Sequence, residues 1–192
     1  MNFKNILLMT AFIISSLSIF ANSNNNTTDD HNNSVSYKYL NDFNIVVVKG
    51  DVDLVHKPSI DSIGIVKIVA ENSDLKKLSI KNIQGKLSIN NKNKNNQKIV
   101  VYIYSPTLKS LSNHGSGDID ILGNLNTRML DIYNFKSGKI NCKSISCNEL
   151  NLYCYGDGEV EIGGKAKSTT IINKGGCNIK SDNLNKVLLG KN

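Results

Sequence analysis

Six carboxylates hold the positions where this sequence could most readily do chemistry: Asp118, Asp120, Asp131, Asp157, Glu159 and Glu161. Two carboxyls facing each other could act as the acid and base of glycoside cleavage, and several converging could hold Ca²⁺. Asp118, Glu159 and Glu161, however, each meet a lysine one repeat away, which is the pattern of a solvated charge ladder. His31 lies in an Asn-rich stretch, while His56 and His114 are far apart and carry no partner motif. Gly115-Ser116-Gly117 lacks the flanks of a nucleophile elbow, and no glycine-rich phosphate loop occurs. The expectation is a non-enzyme with no catalytic residue, no metal and no cofactor.

The cysteines are Cys142, Cys147, Cys154 and Cys177, at spacings that match no zinc motif. Stacked repeats would set Cys142 and Cys177 two layers apart, beyond the roughly 5.5 Å Cα separation that a disulfide prefers. Cys147 and Cys154, seven residues apart along one coil, are also too distant. Cys142 with Cys147 around one corner is the pairing that remains. The alternative is that these are small buried apolar side chains.

Aromatic residues form the most suggestive group. Leu130 and Ile132 share one parity, as do Leu150 and Leu152, and should point inward. Tyr133, Phe135, Tyr153 and Tyr155 then point outward, one pair over the other. Exposed aromatic rings can stack on sugars or anchor a protein partner. Equally, they can be cross-strand pairs that only stabilise the sheet, by about 0.2–1 kcal/mol each.

What must position these residues is almost entirely strand. Short runs such as Ile119-Asp120-Ile121, Leu150-Asn151-Leu152 and Val160-Glu161-Ile162 alternate with period two, and Gly, Asn and Ser punctuate them. Turn signals recur before Ile119, Ile140, Val160 and Ile179, spaced by 21, 20 and 19 residues. That period predicts an all-β, single-stranded parallel β-helix, a solenoid with coils of about twenty residues. Stacked about 4.8 Å apart, Asp118, Lys139, Glu159 and Asn178 would form one row and Asp120, Asn141, Glu161 and Lys180 another. Asn113, Asn134, Cys154 and Asn173 would form a third, with amides that can bond from coil to coil and satisfy turn backbone. The N-terminal third, through about Asn96, is less regular, and a polar loop at 90–96 interrupts the stack.

The motifs Phe43-Asn44-Ile45 and Gly50-Asp51-Val52-Asp53-Leu54 open an ordered series. It continues through Asn72-Ser73-Asp74-Leu75, Gly85-Lys86-Leu87-Ser88-Ile89, Ser105-Pro106-Thr107-Leu108-Lys109-Ser110-Leu111 and Gly115-Ser116-Gly117-Asp118-Ile119. Over about 40–190 the chain resembles the head GIN domain family, described as auto-transporter adhesins. The resemblance implies an exported β-solenoid without a defined ligand. Lys136, Tyr155 and Cys177 depart from it, standing where small turn residues are usual.

The chain has 192 residues, 23 Lys+Arg against 16 Asp+Glu and a formal charge of +7, a length that suits one domain. Arg128 is the only arginine, which argues against a specialised nucleic-acid reader. Residues 1–21, with a cationic start, an apolar run from Ile6 to Phe20 and then Ala21, have the layout of a cleaved secretory signal peptide. Residues 22–34 are a polar tether with nothing to bury, and 35–192 form the solenoid domain. The protein is therefore expected in the periplasm, on the cell surface or secreted, with no membrane span after cleavage. Its expected role is a non-catalytic binding or adhesion module contacting glycan or protein surfaces. A carbohydrate-active enzyme and a self-associating envelope protein are the alternatives, and the apparently uncapped last coil predicts pairing with a second copy.

Overall fold

The computed structural model describes residues 33–93 and 99–185. The expected leader lies outside these residues. So does the expected tether, except Asn33 and Ser34, which open the first strand. Of the expected polar loop, Asn90 and Asn91 end a strand and 94–98 lie outside the described residues.

The strands are β1 (Asn33–Tyr39), β2 (Ile45–Lys49), β3 (Asp53–Lys57), β4 (Ile65–Glu71), β5 (Leu78–Ile83), β6 (Lys86–Asn91) and β7 (Val100–Tyr104). They continue as β8 (Ser110–His114), β9 (Ile119–Ile121), β10 (Leu125–Asn126), β11 (Met129–Asn134), β12 (Ile140–Cys154), β13 (Glu159–Asn173) and β14 (Asn178–Asn185). One helical turn, α1 (Asn72–Leu75), is the only helix among the described residues. The architecture is all-β: a single mixed sheet of fourteen strands, curled into a half-barrel.

From β8 onward the pairing is parallel. Leu111 stands opposite Ile132, Ile132 opposite Leu152 and Leu152 opposite Ile171. Ile119, Ile140, Val160 and Ile179 are likewise matched in turn. Period two sends one parity of each strand inward, so Leu111, Ile132 and Leu152, with Ile119, Ile140 and Val160, have no exposed surface.

The N-terminal part corrects the expectation of a wholly parallel stack. There β4 runs antiparallel to both β1 and β7, and β5 antiparallel to β6. For β5 and β6 the cause is local: Gln84 and Gly85 take φ of 51° and 77°. Two consecutive left-handed residues close a tight hairpin, which forces antiparallel neighbours. Spatial order also departs from chain order, because β2 lies between β6 and β8, and β3 between β7 and β9.

The corner between the two parallel runs explains the turn glycines. A Cβ on Gly117, Gly138 or Gly158 would lie 2.1–2.3 Å from a carbonyl oxygen of the layer beside it, that of Val52, Gly117 or Gly138. Only a residue without a side chain lets the layers close to strand spacing there. The asparagine row sits at the same corner, but its bonds stay within one turn. Asn113, Asn134 and Asn173 donate from Nδ2 to the carbonyls of Gly117, Gly138 and Cys177, four residues on, at 2.8–3.0 Å. The amides thus satisfy turn backbone as expected, but they do so in their own turns and not from one layer to the next.

Candidate binding surface

Strands β8, β11 and the end of β12 carry the aromatic group. Tyr133 stands opposite Tyr153 in the register, and Phe135 follows Asn134 as Tyr155 follows Cys154. The Tyr133 and Tyr153 ring centroids are 4.8 Å apart at an interplanar angle of 7°, and those of Phe135 and Tyr155 are 5.1 Å apart at 7°. Tyr133 and Phe135 lie side by side at 6.1 Å, and His114 stacks under Phe135 at 4.3 Å. All four expected residues are therefore brought together, with His114 as an unforeseen fifth ring.

The ring separation matches the spacing between strands, so the ring planes lie across the stacking direction. Tyr133 and Tyr153 thus cover one face of each other, and Phe135 stacks with both His114 and Tyr155. Edge C–H groups carry the positive end of the aromatic quadrupole. Tyr155 is 42% exposed and the other three aromatics are half-buried. Burial and the neighbouring Asp131 hold the Tyr133 phenol above its ordinary pKa. Burial, then Lys49 and Lys86, keep the His114 pKa below its ordinary value, which favours the neutral ring.

Of the six carboxylates, Asp118, Asp120, Glu159 and Glu161 lie on the other parallel run, whereas Asp131 lies on β11 beside Tyr133. Glu159 meets Lys139 at 2.6 Å and Lys180 at 2.8 Å, which pull its pKa down to about 2. Glu161 meets Lys143 at 3.2 Å and Lys139 at 3.8 Å. Lys180 stands opposite Glu161 in the register, yet its ammonium turns diagonally to Glu159. Asp118 accepts the Lys139 N–H, Asp120 the Asn141 amide and Asp131 the Asn151 amide. No group of carboxylates, histidines and cysteines suited to a metal occurs among the described residues.

A groove of about 970 Å³ runs past Asn126, Ser146, Cys147, Lys165 and Lys167. Among the described residues no carboxylate or histidine lines it.

The cysteine expectation is corrected. Cys154 is bonded to Cys177, with Cα atoms 6.0 Å apart, while Cys142 and Cys147 are buried free thiols. Cys154 replaces the row asparagine and Cys177 replaces the turn glycine of the next layer. A Cβ built on Gly158 would point at Asn134 Nδ2, 2.7 Å away. A side chain at the equivalent position 177 is thereby aimed at residue 154. Burial raises the Cys142 thiol to about 12.

His56 was also missed. It is fully buried, with Nε2 at 3.0 Å from Ser105 Oγ and 3.2 Å from the Ser105 carbonyl, and Nδ1 without a partner. Burial lowers its pKa to about 4.

The model of the family described as "Putative auto-transporter adhesin, head GIN domain" matches residues 42–187, which include every ring of the array. The chain belongs to the head GIN domain family. Its fold is shared with a Bacteroides fragilis NCTC 9343 protein described as a "putative adhesin", 24% identical, with a TM-score of 0.74 over 81% of this chain and 72% of that one. A Parabacteroides distasonis ATCC 8503 protein described as a "putative lipid binding protein" is 20% identical, with a TM-score of 0.64 over 81% and 76% of the two chains. None of the curated proteins matches the chain. No described helix is long and apolar enough to cross a membrane. The head GIN label, like those of the two structures, names binding proteins and not enzymes.

Proposed function

We propose that this head GIN protein is a non-catalytic adhesion module of the bacterial envelope whose aromatic array contacts glycan or protein surfaces. The observation that carries this reading is the ordered array of Tyr133, Phe135, Tyr153 and Tyr155, turned edge-outward on rigid strands. The sequence suggests flat rings open for sugar stacking, but the faces that Tyr133 and Tyr153, and Phe135 and Tyr155, turn to each other are occupied. What remains outward is a row of phenol hydroxyls and electropositive C–H edges about one strand spacing apart, suited to the repeated oxygens of a glycan. In this reading residues 110–185 wind as a short parallel solenoid with coils near twenty residues, supported by register offsets of 21, 20 and 19 between Leu111, Ile132, Leu152 and Ile171. Export of the chain belongs to the same proposal.

Cosedimentation with cell-wall, outer-membrane and host glycan polymers, at low and high salt, tests it. Retention that survives salt and releases no soluble fragments is expected. Soluble fragments would assign the protein to carbohydrate cleavage instead.

A further inference from the structure

The two parallel runs are joined by a second corner, crossed by β10 and by the middles of β12 and β13, and it holds the groove of about 970 Å³. Three layers meet there in register. Leu125 stands opposite Ile145 and Ile145 opposite Gly164, while Asn126 stands opposite Ser146 and Ser146 opposite Lys165. Leu125 and Ile145 are buried, so the next residues along, Asn126, Ser146 and Lys165, form an outward row about 10 Å across. Gly164, at φ 114°, lets the layers close, because a Cβ on it would lie 2.2 Å from the Ile145 carbonyl oxygen. Cys147 and Ala166, opposite each other and buried, form the floor, and Asn148 and Lys167 follow them at exposed positions.

The charge at this corner is one-sided. The ion pairs of the described residues engage Lys139, Lys143 and Lys180, which leaves Lys165 and Lys167 without a carboxylate partner among those residues. Arg128, the only arginine of the chain, is exposed beside Thr127 and is likewise unpaired among them. Of the residues that adjoin the lining in sequence, only Glu149 is acidic, and it accepts a hydrogen bond from Asn151 Nδ2 at 3.0 Å.

We infer that this groove binds a carboxylate-bearing polysaccharide laid across the layers, with its carboxylates on Lys165 and Lys167 and its hydroxyls on Asn126, Thr127, Ser146 and Asn148. The backbones of β10, β12 and β13 already pair with one another beneath the groove, so recognition falls to side chains and not to strand addition by a peptide. Cys147 and Ala166 are the only apolar residues among the described lining, which gives an acyl chain or an aromatic ligand little to bury against. Amides and hydroxyls both donate and accept, as sugar hydroxyls require, whereas ammonium groups only donate and so select anionic oxygens. Lys165 and Lys167 lie two residues apart on one strand, about 6.6 Å, close enough to serve one extended chain. The volume is that of a site for an organic ligand, in the range of about 300–1,000 Å³. The inference rests on no residue of the aromatic array.

Biolayer interferometry of the full chain on immobilised polygalacturonate and on its fully methyl-esterified form tests it, since esterification removes the carboxylate charge and keeps the sugar backbone. Binding to the acid form is expected at least about tenfold tighter than to the ester, and it should fade as salt rises, unlike retention by the array. Lys165→Gln with Lys167→Gln should weaken it about tenfold. Lys165→Arg with Lys167→Arg should keep it. Lys136→Gln with Lys174→Gln removes the same charge from exposed positions outside the groove and should leave binding unchanged. Equal affinity for acid and ester, or no binding to the acid form, would overturn the inference whatever the variants do. So would equal losses from the two glutamine pairs, which would assign the attraction to the net charge of the chain.

Discussion

Two outer surfaces of the same parallel strands solve one problem in opposite ways. Parallel stacking places equivalent residues about 4.8 Å apart, so each outward row must tolerate its own repetition. On the run through β9, the start of β12, β13 and β14, it does so by alternating charge: Asp118, Lys139 and Glu159 succeed one another. On the run through β8, β11 and the end of β12, it does so by stacking rings. The charged row satisfies its groups among themselves, with Lys139 and Lys180 both spent on Glu159. The aromatic row spends the faces that its rings turn to one another and keeps its edges and hydroxyls. A surface whose bonding capacity is used internally has little to offer a ligand, which is why the proposed binding role is assigned to the second run.

The two surfaces meet at the glycine corner, and breaking that corner should have the largest effect. Gly158→Ala places a Cβ 2.3 Å from the Gly138 carbonyl oxygen, where only backbone can yield. A loss of about 4 kcal/mol in chemical denaturation is expected. Reduction of Cys154–Cys177, which closes a sequence separation of 23 residues at the same corner, should cost about 3 kcal/mol. Mass spectrometry after alkylation should show no reactive thiol in the native protein. Two should appear on unfolding, and four on unfolding with reductant.

Acid distinguishes the layers beneath the two surfaces. His56, buried under the first run, titrates at about 4 when folded and near 6.5 when unfolded. Protonation therefore favours the unfolded chain. The His56 contribution is complete above pH 6.5, falls between 6.5 and 4 and is flat below that, a loss of about 3 kcal/mol. His56→Gln should flatten this window in urea melts taken across pH. Glu159, held down to about 2 by its lysines, loses its contribution at lower pH, as the medium falls below 4.5.

Smaller effects separate the rows themselves. Tyr153→Ser should cost about 1 kcal/mol of stability through lost ring stacking, and it should sharply reduce ligand retention. Lys139→Ala, at an exposed ion pair, should change stability little, a difference that salt erases. Retention should be unchanged in Lys139→Ala. Equal effects of the two substitutions on binding would dissolve the distinction between the surfaces.

Much of the C-terminal half was legible because its information is local and repeated. Leu130, Ile132, Leu150 and Leu152 point inward by parity alone, and the twenty-residue offset aligns the rings above them. The disulfide was hidden because it links two rows: Cys154 occupies an asparagine position and Cys177 a glycine position one repeat later. Treating each row separately never brings them together. In the N-terminal part, Tyr37-Lys38-Tyr39 and Tyr102-Ile103-Tyr104 show their alternation plainly. Their neighbourhood arises through β4, and strand alternation does not encode which distant strand becomes a partner. Pairing of β2 between β6 and β8 has the same origin, since nothing in Val46-Val47-Val48 distinguishes one apolar neighbour from another.

The most direct measurement is the fraction of protein retained by insoluble envelope and host glycans at high salt, for the native chain and for Tyr133→Ser with Tyr153→Ser. The account predicts that the native chain is retained without releasing soluble sugar, and that the folded double variant washes through. Equal retention of the two would contradict a binding role for the aromatic array, and release of soluble sugar would contradict a non-catalytic protein.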